Sequence, residues 1–198
     1  MIYYISDSHF FHERLNYHVD NRGFASAHEM NETMIAQWNH RVTQDDRVII
    51  LGDFSVGSGT QTNEVLARLA GHKCLISGNH DAYLDDEAFD TSLFEWIRPY
   101  EEISDGGKTV VVSHYPMICY HGQYQLDTEH RPLYYMLYGH VHDTVDQQLV
   151  RQYQAETRRT PYYAGLIPCH MYNCFCMYSS YVPWSLQEWV QYHENAQV

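Results

Sequence analysis

The sequence predicts an α/β fold, and three observations carry that prediction. Five aliphatic or β-branched runs read as strands: Ile2-Tyr3-Tyr4-Ile5, Val48-Ile49-Ile50-Leu51, Cys74-Leu75-Ile76, Val110-Val111-Val112 and Leu133 to Tyr138. Stretches with apolar residues at helical spacing separate several of them. Each run also ends directly in a polar fragment: Asp7-Ser8-His9, Gly52-Asp53, Gly78-Asn79-His80-Asp81, Ser113-His114 and Gly139-His140-Val141-His142. In open α/β sheets ligands bind at the carboxyl ends of strands, because loops from neighbouring strands converge there. These patterns fit a doubly wound sheet as well as stacked sheets with helices outside.

The first strand ends near Ser6 and feeds a loop from Asp7 to His12. Ser26-Ala27-His28-Glu29 has the form of a capping box, in which Ser accepts from a free amide and Glu reaches back to the cap. Met30, Met34, Ile35 and Trp38 follow at helical spacing and predict a helix over 27–41. Residues 55–62 are rich in Gly, Ser and Thr and read as a loop. Val65, Leu66 and Leu69 then make a second amphipathic helix, stopped by Gly71. Asp85-Asp86-Glu87 resembles a helix first turn, where negative side chains offset the positive dipole end. Residues 115–132 show no period and predict a long loop over the strand-end edge. Thr144 and Gln147 occupy capping-box positions for a helix running to Arg158, with a solvated charged face over 152–159. Met171 to Tyr178 alternates as a strand, which places Cys174 and Cys176 on one buried face. Pro183-Trp184-Ser185-Leu186 opens a short terminal helix. Neither repeat nor linker interrupts the pattern, so one domain over 1–198 is expected.

A chain of 198 residues can bury a sizeable core. Its formal charge of −13 argues against broad nucleic-acid binding, which needs a basic face to displace counterions, and against anionic membranes. Acidity does not exclude a phosphorylated substrate, since bound divalent cations reverse the local field. The first residues lack a signal-peptide layout, and no apolar run reaches bilayer length. Five cysteines, odd in number and unevenly spaced, point to free thiols in a reducing, cytoplasmic setting.

Taken singly, Asp7-Ser8-His9 carries little weight, because short triplets recur by chance. Gly139-His140-Val141-His142 is more specific, and Gly78-Asn79-His80-Asp81 more specific still. The ordered set resembles the calcineurin-like metallophosphoesterase superfamily, whose pattern is Asp-x-His, Gly-Asp, Gly-Asn-His-Asp or Glu, a lone His and Gly-His-x-His. The resemblance runs from Met1 to His142. It is looser beyond, where Asn173 to Glu188 is similar to the closing strand and helix of small bacterial and phage members. Glu29 to Asn39, Asp46 and Gly52-Asp53-Phe54 are similar to the same subgroup. One departure is Phe11, where similar sequences tend to have Gly before the next His, here His12.

The resemblance implies a four-layer αββα sandwich of two mixed β-sheets flanked by helices. It also implies one divalent ion held by Asp7, His9 and His142 and a second held by Asn79, His114 and His140. Asp53 would bridge them, with His80 facing the substrate. The donor chemistry agrees, since a carboxylate can give one oxygen to each cation and offset their repulsion. Mixed Asp, His and Asn donors suit Mn foremost, then Fe, Zn, Ni or Co, better than Ca. Two such cations about 3.5–4 Å apart lower the pKa of a shared water, and the resulting hydroxide would attack phosphorus in line. His80 is then the expected proton donor to the leaving oxygen, with Asp81 orienting its ring. His12 and Arg22 are candidate contacts for the substrate phosphate.

Outside this order, Asp53 would be a turn residue and His114 a strand-end histidine. Tyr115, Tyr120 and Tyr124 read first as packing residues and second as pocket walls. Histidines such as His28, His40, His72 and His193 read as surface or boundary residues. The expected function is hydrolysis of a phosphomonoester or phosphodiester on a small, nucleotide-type molecule. Few basic residues near the motifs disfavour a long nucleic acid. The rival reading is a non-catalytic interaction scaffold of the same fold, which has no need of His80.

Overall fold

The computed structural model describes residues 1–161 and 168–195. Strands β1 (Ile2–Ile5), β2 (Arg47–Ile50), β3 (His72–Ile76) and β4 (Trp96–Arg98) form one sheet in that order, parallel throughout. Strands β5 (Tyr100–Asp105), β6 (Lys108–Ser113), β7 (Tyr134–Tyr138) and β8 (Met171–Asn173) form the second, with β5 antiparallel to β6 and the rest parallel. Four α-helices accompany them among the described residues: α1 (Ala27–Arg41), α2 (Gly59–Arg68), α3 (Val145–Thr157) and α4 (Leu186–Asn195).

Alternation along the strands builds the layers, because successive side chains point to opposite faces. Tyr3, Ile5, Val48, Ile50 and Leu75 share a core with Met30, Met34, Trp38, Val65 and Leu66 of α1 and α2. Their neighbours Tyr4, Ile49, Leu51, Cys74 and Ile76 meet Val110, Val112, Leu137 and Tyr172 of the second sheet. Val111, Met136, Tyr138 and Met171 face outward again, beside Val150 of α3. The order is helices, sheet, sheet, helix, as the four-layer plan requires. The mixed character sits in the second sheet; the first is parallel except for an antiparallel bridge between Tyr4 and Trp184. Helix α4 closes an edge by inserting Trp189, whose Nε1 donates to the Tyr4 carbonyl at 3.0 Å. Truncating so buried a side chain to alanine costs about 3–5 kcal/mol.

Several local expectations change. Helix α2 begins inside the supposed 55–62 loop, where Ser58 and Gln61 form a reciprocal capping box. The acidic run at Asp85-Asp86-Glu87 starts no α-helix; residues Ala82–Asp85 form a 3-10 turn. Asp86 instead accepts from the Gly59 amide at 2.7 Å, so its charge serves the amino terminus of α2. Thr144 caps α3 through the Asp146 amide, while Gln147 does not reach back. Its side chain is buried against the Tyr138 hydroxyl and Asn173. Glu29 accepts from the Ala25 amide, one residue before the cap. Strand β8 stops at Asn173, whose side-chain oxygen accepts from the Phe175 amide and turns the chain, an Asx-type contact. Cys174 and Cys176 are buried all the same, but Cys176 opens a 3-10 turn. No helix among the described residues is long and apolar enough to cross a membrane.

Candidate metal centre

All five polar fragments leave the carboxyl ends of parallel strands, three from the first sheet and two from the second. They meet at one edge. The chain turns there through left-handed conformations at Asp7 (φ 57°), His9 (φ 50°), Asp53 (φ 51°), His140 (φ 70°) and His142 (φ 47°). A non-glycine residue in that region costs roughly 1–3 kcal/mol and persists only where its surroundings fix it. Here the turns lock one another: the His9 amide donates to the Asp53 carbonyl at 2.9 Å, and the His140 amide to Asp7 Oδ1 at 2.9 Å. Two motif glycines are explained by close approach. A Cβ at Gly52 would run into the His114 ring, and one at Gly139 would lie 2.6 Å from Asp7 Oδ2.

Asp7, His9 and His142 offer donor atoms within 4.8 Å of one another, and so do Asp53, His114 and His140. Asn79 joins the second group, its Oδ1 lying 3.0 Å from His114 Nε2. Asp53 Oδ2 stands between the groups, 3.5 Å from His9 Nε2 and 3.4 Å from His114 Nε2. The other oxygen, Oδ1, accepts the His80 amide at 2.7 Å.

The donor set fits divalent cations on chemical grounds. His114 Nδ1 must donate to the Leu51 carbonyl at 2.8 Å, which can only accept. In the neutral ring, Nε2 is then a bare lone pair facing the oxygens of Asn79 and Asp53, an arrangement that repels itself unless a proton or metal ion enters. His9 Nε2 and His142 Nε2 likewise face each other at 3.2 Å. Asp7 Oδ2 is buried with no hydrogen-bond partner. Burial pulls the His114 ring down, but the Asp53 and Asp7 carboxylates overturn this and raise it to about 9. Burial would lift the Asp53 carboxyl, yet His114, His9 and the His80 amide hold it at about 2. A proton there takes the place of a cation, and metal binding would displace it. Burial lowers His9 well below the ordinary imidazole range and leaves its ring neutral, as a ligand requires.

The edge opens as a cleft of about 260 Å³ lined by His9, His12, Asp53, His80, His140 and His142, together with Leu15, Val19, Val141, Thr144 and Asp146. Another cavity, of about 370 Å³, lies at the opposite edge beside Met1, Asp105, Lys108 and Leu186 and gathers no comparable donor set.

The structure brings together the seven expected ligand residues, His80 and His12. Arg22 is not on the cleft wall. Its buried guanidinium donates to the carbonyls of Ser8 (2.6 Å) and Asp7 (2.9 Å) and to Asp20 (2.9 Å), which leaves it no reach to a substrate phosphate. Asp81 does not orient the His80 ring. Its two oxygens accept the amides of Gly78, Asp53 and Phe54 at 2.7, 3.0 and 2.7 Å, so it fixes the Asp53 turn instead. The 115–132 loop approaches the site through Tyr115, whose ring packs 4.5 Å from that of His140. Tyr120 is buried against the second sheet. Asp20, whose Oδ1 lies 2.6 Å from His142 Nδ1, escaped the sequence reading, because no motif marks it.

Comparison with known proteins agrees with this architecture. Residues 1–157 match the calcineurin-like phosphoesterase superfamily domain. An uncharacterized protein of Methanocaldococcus jannaschii is 40% identical over 84 residues, which cover 41% of this chain and 47% of that protein, so the match spans about half the relative's length. The gene 66 protein of Mycobacterium phage L5 is 30% identical over 162 residues, covering 71% of this chain and 76% of the phage protein. The crystal structure of a protein of unknown function from Aquifex aeolicus has the same fold, with a TM-score of 0.62 at 24% identity over 95% of this chain and 96% of that one. Fold, motif order and the extent of the family match lead to one assignment: the chain belongs to the calcineurin-like phosphoesterase superfamily.

Proposed function

We propose that residues 1–198 form a single cytoplasmic domain that hydrolyses a phosphomonoester or phosphodiester of a small, nucleotide-type molecule. The observation that carries this reading is Asp53 Oδ2, about equally distant from a nitrogen of each ligand group. Asp7, His9 and His142 would hold one divalent ion, and Asn79, His114 and His140 a second, with Asp53 shared. Mn fits this donor set best, with Fe, Zn, Ni or Co as alternatives. Such ions supply a water of lowered pKa and neutralise charge on the phosphoryl oxygens.

The remaining work falls to the chain itself. His80 is exposed on the cleft, and its amide is tied to Asp53 Oδ1, so its ring stays beside the shared carboxylate. From there it donates a proton to the leaving oxygen. His12, with its ring 6.3 Å from that of His80, contacts the substrate phosphate from the other side. Among the described residues lining the cleft none is Lys or Arg, which favours a compact ester over a long polyanion. An interaction scaffold would have no reason to keep five ligand residues in strained left-handed backbone.

The test is hydrolysis of p-nitrophenyl phosphate and its bis-ester by metal-stripped protein, with and without Mn. Turnover restored by Mn supports the reading. Protein that binds no divalent ion, or binds two and hydrolyses neither ester nor any nucleotide offered, would overturn it.

A further inference from the structure

The loop between the first strand and α1 carries two buried charges that no motif includes. The Asp20 and Arg22 side chains are 1% and 0% exposed and form an ion pair at 2.8 Å. The backbone on either side of Asp20 is left-handed, at Val19 (φ 40°) and Asn21 (φ 50°). Strain of this kind is held only where tertiary contacts fix it. Besides local main-chain bonds from the Asn21 and Arg22 amides to the His18 and Leu15 carbonyls, the side-chain contacts of the pair lead to the metal centre. Asp20 Oδ1 accepts from His142 Nδ1 at 2.6 Å, across 122 residues of sequence. Arg22 grips the main chain of the Asp7-Ser8-His9 turn through the carbonyls of Ser8 and Asp7.

The chemistry of this pair is directional. A carboxylate only accepts, so Asp20 places the ring proton of neutral His142 on Nδ1 and leaves Nε2 as a lone pair. That nitrogen faces His9 Nε2 at 3.2 Å and Asp7 Oδ1 at 3.7 Å. Arg22 neutralises Asp20 and, through the two carbonyls, sets the position of the turn that carries Asp7 and His9. One buried ion pair therefore registers all three members of one ligand group, drawn from two sheets. Among the described residues the other group makes no direct contact with the ion pair: His114 is oriented by the Leu51 carbonyl and Asp53 by the His80 amide.

We infer that Asp20 and Arg22 are positioning residues that set the affinity of the ion held by Asp7, His9 and His142 and leave the second ion unaffected. This rests on the two-ion reading above. Outer partners of metal-bound histidines are worth about 10–100-fold in metal affinity, which sets the expected size.

The experiment is a calorimetric Mn titration of the metal-stripped full chain, with bound metal counted after desalting and thermal stability recorded in parallel. Wild type should take up two ions. Asp20→Ala should weaken one by about 10–100-fold while the other stays within about twofold. Asp20→Asn keeps the side-chain shape and one acceptor oxygen, so it should fold and show a smaller shift in the same ion. Two ions bound with wild-type affinity in both variants, whatever their melting temperatures, would overturn the inference and leave the two-ion reading standing. Equal weakening of both ions would also overturn it. A wild-type protein that binds no ion would overturn both readings.

Discussion

His142 of the first ligand group is held by a distant side chain, whereas His114 of the second is held by the main chain. In the first group His142 is bonded to Asp20, and its carbonyl accepts from Asn173 Nδ2 at 2.8 Å. In the second, His114 is fixed by a carbonyl and Asp53 by an amide, while the amides of Gly78, Asp53 and Phe54 converge on Asp81. Main-chain support comes with the strand ends themselves. Side-chain support has to be recruited from elsewhere in the chain; all three members of the first group are buried, whereas His140 of the second is half-buried.

The sharpest way to break this division is at the residue that joins the groups. Asp53→Asn keeps the shape but removes the charge that both groups share. Loss of several kcal/mol of charge stabilisation corresponds to a fall in hydrolysis of at least about a thousandfold. Metal analysis should show both ions weakened, and His140→Ala should lose one ion with a similar loss of rate. An Asp53→Asn protein that keeps two ions and full turnover would show that the groups act independently.

His80 lies outside both groups, and its removal should separate binding from chemistry. For His80→Ala we expect two ions retained and kcat lowered by about 10²–10⁴, the range of a general acid. Unchanged kcat with full metal content would take His80 out of the mechanism.

The support behind the first group can be probed by pH. His193 Nε2 donates to the Asn173 carbonyl at 2.8 Å, and Asn173 in turn holds the His142 carbonyl. Burial pulls the His193 ring down; the Asn173 carbonyl opposes this, Arg151 adds to it, and the result is about 4. In the unfolded chain an imidazole titrates near 6.5. Between these values the unfolded state holds a proton that the folded state lacks. Stability is therefore complete above about pH 6.5 and declines as pH falls towards 4, by roughly 3 kcal/mol at most. Chemical denaturation from pH 7 to 4 measures the slope, and His193→Gln should flatten it. An equal slope in the variant would assign the acid sensitivity to other groups.

The same division decides what the sequence could reveal. Strands and ligands were legible because each ligand fragment is continuous with the strand that delivers it. Helix α1 was legible from Met30, Met34 and Trp38 at regular spacing. Asp20 and the supporting roles of Arg22 and Asn173 were not, because nothing near Asp20 records a partner at His142. Asp86 misled for a related reason: its charge caps a helix that begins at Gly59, a relation between distant segments. Phe11, the departure from the family pattern, adopts φ 68°, a conformation suited to glycine, and its amide is held by Asn31 Oδ1 at 3.0 Å. The pattern predicted the backbone there, although this residue does not follow it.

Asp81 offers the finest test, since two readings of it make opposite predictions. If it oriented the His80 ring, as adjacency in sequence suggests, its effect would vanish once His80 was gone. The geometry instead makes it an acceptor for three amides that carry the Asp53 turn. Asp81→Asn replaces one acceptor oxygen with an NH₂ group facing amide donors, which costs about 1–3 kcal/mol of stability. Its effect on kcat/KM should then arise through Asp53 and persist when His80 is already replaced by alanine. A double variant no slower than His80→Ala alone would return Asp81 to the histidine. A further loss in the double variant, with both ions bound more weakly in Asp81→Asn, would place it behind the shared carboxylate, where its hydrogen bonds already lie.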